Sequence, residues 1–202
     1  MPPTTRNAAA TRERLLDCAR KCFVQESYDA VSLREIAGAA GVDVALIGRY
    51  FGSKEQLFQA ALATDDNRWE ELAGADDLPS HLASMLVTDD SKDADHIERL
   101  LIMLRSATSP TASVIVQSTF KTEVLEPFAN VLTGAQADRR AAMALSVLMG
   151  TTIVRTILRV DDCGGCEDDT FELRLSAMLR IALSPDVTPA DRMSLAVLEP
   201  QL

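Results

Sequence analysis

Apolar residues along this chain recur at intervals of three and four, and runs that alternate apolar with polar are nearly absent. Leu15, Ala19, Cys22 and Phe23 fall on one face of a helix expected over about residues 8–25. Val31, Leu33, Ile36, Ala37 and Ala40 mark a second, short helix, and Ile47 and Phe51 a third. Leu57, Phe58, Ala61 and Leu62 begin a fourth, with room to run to about Leu72. Further helices are expected near 79–88, 93–108, 111–132, 136–160 and 170–183, with Pro127 kinking or breaking the one that contains it. No Val/Ile/Thr run is bounded by Asn-Gly or Asp-Gly, and no strand–helix–strand rhythm occurs. The pattern predicts an all-α protein.

The boundaries of the second to fourth helices are written in cap residues. Ser32-Leu33-Arg34-Glu35 reads as a capping box, in which the Ser32 hydroxyl takes the Glu35 amide and the Glu35 carboxylate reaches back. Gly41 ends the second helix by permitting a left-handed turn. Asp43 then caps the third, with Val42 and Ile47 as a hydrophobic staple. Gly52 ends the third helix, and Ser53 caps the fourth with Gln56 completing another box. Two short helices joined by a Gly turn, over about residues 32–51, form a helix-turn-helix. Its third helix is apolar on one side only. Val44, Ala45, Gly48, Arg49 and the outer edge of Tyr50 face out, small enough for a major groove and with Arg49 in reach of a guanine edge. A hairpin that merely packs is the competing reading, and the capped boundaries with the Gly-Ser-Lys exit weigh against it.

Composition changes this picture little. The 202 residues are 47% hydrophobic and 25% charged, enough for a sizeable core in one large or two small domains. The N-terminus carries no apolar signal-peptide core, and the most apolar stretch, Ala141 to Val154, falls short of the roughly 20 residues a membrane helix needs. With four cysteines, the expected setting is a reducing cytoplasm. Charge matters more. The net −10 argues against nucleic acid at first sight, yet residues 1–54 carry 8 Lys/Arg against 6 Asp/Glu, while residues 55–202 carry 12 against 24. The acidity belongs to the larger C-terminal part, which suggests two jobs in one chain.

One run carries more specific information. Tyr28, Val31-Ser32-Leu33-Arg34-Glu35-Ile36-Ala37, Ala40-Gly41-Val42, Leu46-Ile47, Tyr50-Phe51-Gly52-Ser53-Lys54-Glu55 and Leu57-Phe58 together resemble the TetR family of transcriptional regulators over about residues 11–62. The resemblance implies a helix-turn-helix DNA-binding domain over 8–55 behind a flexible arm over 1–10. It also implies a C-terminal domain over 56–185 that dimerises and binds a small effector, and leaves a tail over 186–202. It assigns DNA contacts to Arg34, Val44, Ala45, Gly48, Arg49, Tyr50 and Lys54, the last a phosphate contact at a helix N-terminus. Arg6 and Arg12 on the arm would add minor-groove contacts, or lie in a solvated tail. The sequence departs from the family pattern at four positions: Gly48 where Tyr is frequent, Leu46 for Thr, Asp43 for Ser and Ser27 for Gly. Leu104-Arg105-Ser106-Ala107 and Val124-Leu125-Glu126-Pro127 add a weaker likeness to a branch common in actinobacteria.

In the C-terminal part, helices 136–160 and 170–183 are the expected dimer interface. Leu145, Leu148, Ile153, Ile157, Phe171, Leu175, Met178 and Leu179 are its candidate residues, and packing inside one subunit is the alternative. Trp69, Met85, Met103, Phe120, Met143 and Met149 are candidate walls of an effector pocket, although such residues are more often plain core. Cys163-Gly164-Gly165-Cys166 could be half a zinc site or a redox pair, making a thiol- or metal-responsive sensor or a thiol–disulfide enzyme the alternative functions. The surrounding acids oppose thiolate chemistry, and no second C-x-x-C follows, so a plain loop is preferred. No metal, cofactor or catalytic residue is expected. The expected function is a dimeric repressor, released from a near-palindromic double-stranded DNA operator by a small molecule.

Overall fold

The computed structural model describes residues 5–63, 72–88, 94–160 and 169–185. Among these every regular element is helical, as expected. In chain order they are α1 (Thr5–Gln25), α2 (Leu33–Ala39), α3 (Ala45–Phe51), α4 (Lys54–Leu62), α5 (Leu78–Thr88), α6 (Ala94–Ser106) and α7 (Ala112–Phe120). A π-helical turn, Lys121–Leu125, leads into α8 (Glu126–Val131). Then come α9 (Ala137–Thr152), a second π turn over Ile153–Ile157, and α10 (Asp169–Leu183). The first helix starts at Thr5, earlier than expected, and α4 ends at Leu62 with Ala63 extended behind it. Pro127 acts where expected. It has no N–H for the carbonyl of Glu123, and the single helix read over 111–132 is divided by the wide π turn just ahead of it.

The helices form two compact units that are discontinuous in sequence. The first is Met1–Asp65 with Ser91–Val124, the second Asp66–Asp90 with Leu125–Leu202. The helix-turn-helix therefore does not close its core alone, as a linear division near residue 55 would have it. Leu15, Phe23, Ile36, Ile47, Leu57, Phe58 and Leu62 share one buried cluster with Ile102 of α6 and with Ala112 and Val116 of α7. Each fully buried Leu, Ile or Phe contributes about 1.5–3 kcal/mol relative to exposure. Cys18 and Cys22 pack at the edge of this cluster as fillers. The last carbonyls of α4 are held from two sides, by Arg20 Nε on Ala61 and by Arg99 Nη1 on Ala63, each at 3.3 Å.

In the second unit α5 packs along α10, and α9 packs on α8 and α10. Arg140 is buried, and its guanidinium donates to the carbonyls of Leu183 (2.9 Å) and Thr133. It thereby closes the C-terminus of α10, where cations are favoured. The π turn prolongs α9, so that Ala137–Ile157 is continuous for 21 residues, long and apolar enough by length and composition to cross a membrane. This corrects the shorter estimate from Ala141–Val154. Arg140 and Arg155 of that helix are nonetheless engaged within the unit, Arg155 through the Leu86 carbonyl at 2.8 Å and the Phe171 ring at 5.1 Å.

Candidate nucleic-acid interface

The turn between α2 and α3 is built as the sequence prescribes. Ser32 N donates to Glu35 Oε2 at 2.7 Å and Glu35 N to Ser32 Oγ at 3.2 Å, a closed capping box that holds the Glu35 carboxyl below the usual carboxylate range. Gly41 takes φ of 64°, which a Cβ would strain. The carboxylate of Asp43 accepts from Ala45 N at 2.8 Å, so Asp43 caps α3 although the helix itself begins two residues later. Ser53 caps α4 through Gln56 N at 3.2 Å. The expected return bond from Gln56 is replaced: its Oε1 lies over Gly52, 2.0 Å from where a Cβ would stand.

These caps seat α3 with Ile47 and Phe51 buried and Val44, Ala45, Gly48 and Arg49 exposed, on adjacent positions of one face. Tyr50 is half-buried at its edge, and Arg34 is exposed on α2. Arg12 is part of α1 rather than of a tail, with its guanidinium 4.8 Å from the centre of the Phe51 ring. Lys54, half-buried at the first position of α4, carries its ammonium 4.3 Å over the ring of Tyr28.

Tyr28 is the residue the sequence reading undervalued. Its ring is buried edge-on against Phe58 at 5.0 Å, and its hydroxyl donates to Glu55 Oε1 at 3.0 Å. Burial first, and Glu55 second, push the phenol up to about 12. Ser53, then the Glu55 backbone N–H and the Tyr28 hydroxyl, hold the Glu55 carboxyl below its usual range. The Tyr28 backbone N–H donates to Ser106 Oγ of α6 at 3.1 Å, and Ser106 is fully buried. A lone Ser in the last turn of an apolar helix was the available signal, quoted within Leu104-Arg105-Ser106-Ala107 without a role.

The other candidates fall in several places. Leu145, Leu175 and Leu179 point into the core of the second unit. Leu148, Ile153, Ile157 and Phe171 are half-buried, and Met178 is exposed. Met143, read as a pocket wall, is exposed on α9 beside Ala142 and Ser146. Met85, Met149 and Phe120 are half-buried, while Met103 packs against the core of the first unit. Trp69, Cys163 and Cys166 lie outside the described residues. Among the described residues no cluster of His, Cys, Asp or Glu is placed to hold a metal.

Residues 15–61 match the family described as bacterial regulatory proteins, tetR family, and residues 76–183 match the tetracyclin repressor-like C-terminal domain. The HTH-type transcriptional repressor Rv1474c of Mycobacterium tuberculosis is 33% identical over 85 residues, which are 42% of this chain and 46% of that protein. The chain thus spans less than half the length of this curated relative. The fold is similar to that of NalD, the secondary repressor of the MexAB-OprM multidrug efflux pump in Pseudomonas aeruginosa, with a TM-score of 0.61 at 19% identity over 89% of this chain and 99% of NalD. It is also similar to SmeT in its complex with triclosan, with a TM-score of 0.62 at 20% identity over 89% of this chain and 94% of SmeT.

Proposed function

The chain belongs to the tetR family of bacterial regulatory proteins, and on that premise we propose that it is a dimeric transcriptional repressor that a small organic molecule releases from a near-palindromic operator. The observation that carries this reading is α3 itself. It is capped at its start, buried along one face through Ile47 and Phe51, and free along the other for base edges. Arg49 is the guanine reader, Arg34 of α2 and Tyr50 of α3 add further DNA contacts, and Lys54 at the start of α4 serves a phosphate. Cytoplasmic DNA is the partner.

Support for a dimer comes from α9 and α10. Met143 (58% exposed), Leu173 (69%) and Met178 (53%) stand out from the second unit. Exposed Ala142, Ser146 and Gly150 on the same side of α9 let a partner helix approach closely. Large apolar side chains left exposed on two neighbouring helices suit an association surface. We place the interface on these residues, and leave Leu145, Leu175 and Leu179 to the core. The effector reading draws on SmeT, captured in complex with triclosan, and on Met85 and Met149 of the second unit, half-buried here.

Selection of bound genomic fragments by the purified full chain tests the reading. The expected product is a near-palindrome whose half-sites are about 34 Å apart or a multiple of this. Fragments recovered without sequence preference at moderate salt would sink it. An effector found by thermal-shift screening must weaken DNA binding by the same factor by which DNA weakens its own.

A further inference from the structure

Resting on the DNA-binding reading above, we propose that Gly48 is a specificity-determining residue, and that its bare backbone seats the C5-methyl group of a thymine in each half-site. A folded chain keeps a glycine for a positive φ, for close internal packing or for a turn. Gly48 meets none of these needs. It is absent from the positive-φ glycines Gly41, Gly52 and Gly134, it lies inside α3, and a Cβ built on it meets nothing within 4 Å. Glycine at such a position weakens a helix relative to alanine. The reason for having no side chain there lies outside the chain. Gly38 and Gly150 have equally open surroundings, but only Gly48 stands on the outward face of the helix offered to DNA.

Its neighbours define what it faces. At about 100° per residue, Val44, Gly48, Ala45 and Arg49 follow one another around the exposed arc of α3. Val44 and Ala45 supply methyl groups on either side of the bare Gly48 backbone, and Arg49 supplies the cation at the rim. The arc is a shallow apolar trough with a hydrogen-bonding edge. Thymine's methyl is the one apolar group on the major-groove edge of a base pair, and guanine is the partner of arginine. The trough therefore calls for a thymine beside the guanine that Arg49 reads.

The test is a cycle between one protein carbon and one DNA carbon, using the full chain and the duplex selected from genomic fragments. Gly48→Ala should raise Tm by about 2–4 °C and yet weaken binding to that duplex about tenfold. Uracil in place of the contacted thymine, in both half-sites, should weaken the parent protein several-fold and remove most of the loss caused by Gly48→Ala. Unchanged binding by Gly48→Ala, or an equal loss on thymine and on uracil at every position, overturns the proposal while the parent's sequence preference stands. A parent protein without sequence preference overturns the DNA-binding reading and the proposal together.

Discussion

Tyr28 ties α6 and the start of α4 together through three of its groups: its amide to Ser106, its hydroxyl to Glu55, its ring to Lys54. Ser106→Ala would leave that amide without an acceptor in a fully buried position, at a cost of about 1–3 kcal/mol. Denaturant unfolding should read this as a lower midpoint with an unaltered slope, and an unmoved midpoint would show that the bond contributes nothing. The hydroxyl has a signature in alkali. Its pKa is raised in the fold from 10.0 to about 12, so its contribution is complete below pH 10 and is lost as pH climbs toward 12. Ultraviolet titration should show Tyr28 ionising late, together with unfolding. At the DNA face, Arg49→Ala should cost about 1–3 kcal/mol and relax base preference, whereas Lys54→Ala should weaken all sequences alike and flatten the salt dependence. Equal loss of preference in both variants would contradict the assigned roles.

At the level of elements, what was legible in the sequence was whatever backbone chemistry dictates locally. Ser32 with Glu35, Gly41, Asp43, Gly52 and Ser53 each act where their cap chemistry placed them, and Pro127 divides its helix. What stayed illegible was the choice of neighbour. A period of 3.6 gives α9 and α10 each an apolar stripe but not which side meets the subunit's own core, so Leu145, expected at an interface, is buried, and Met143, expected in a pocket wall, is exposed. Nor does it reveal that α6 and α7 pack with the helix-turn-helix. Asp77, just ahead of α5, is exposed but tied: Arg180 Nη2 donates to its Oδ2 at 2.8 Å and Ser80 Oγ at 2.7 Å, which pins α5 to α10. Arg180 first, and Ser80 next, lower its pKa below 3.8, so this contribution is complete above that pH and is lost as pH falls through it. The acid limb of a Tm-against-pH curve should therefore be shallower for Asp77→Asn than for the parent protein, and an identical limb would refute the link.

For the whole molecule, the exposed methionines are the first test of assembly. Met178→Asp should give a folded monomer by light scattering, with unchanged helical circular dichroism, because Met178 touches water rather than core in the single chain. A persistent dimer would move the interface elsewhere. The two units interleave along the chain, crossing at Asp65–Asp66, Asp90–Ser91 and Val124–Leu125. On the ribosome this sets an order. The helix-turn-helix emerges first, yet the core beneath it is missing Ile102, Ala112 and Val116 until more than half of the chain has been made. Nascent chains stalled before residue 100 should leave Phe23 and Phe58 accessible to chaperones, although the whole helix-turn-helix has been translated. The finished helix-turn-helix unit is a late product of synthesis, and any fragment that stops near residue 65 inherits an open hydrophobic face.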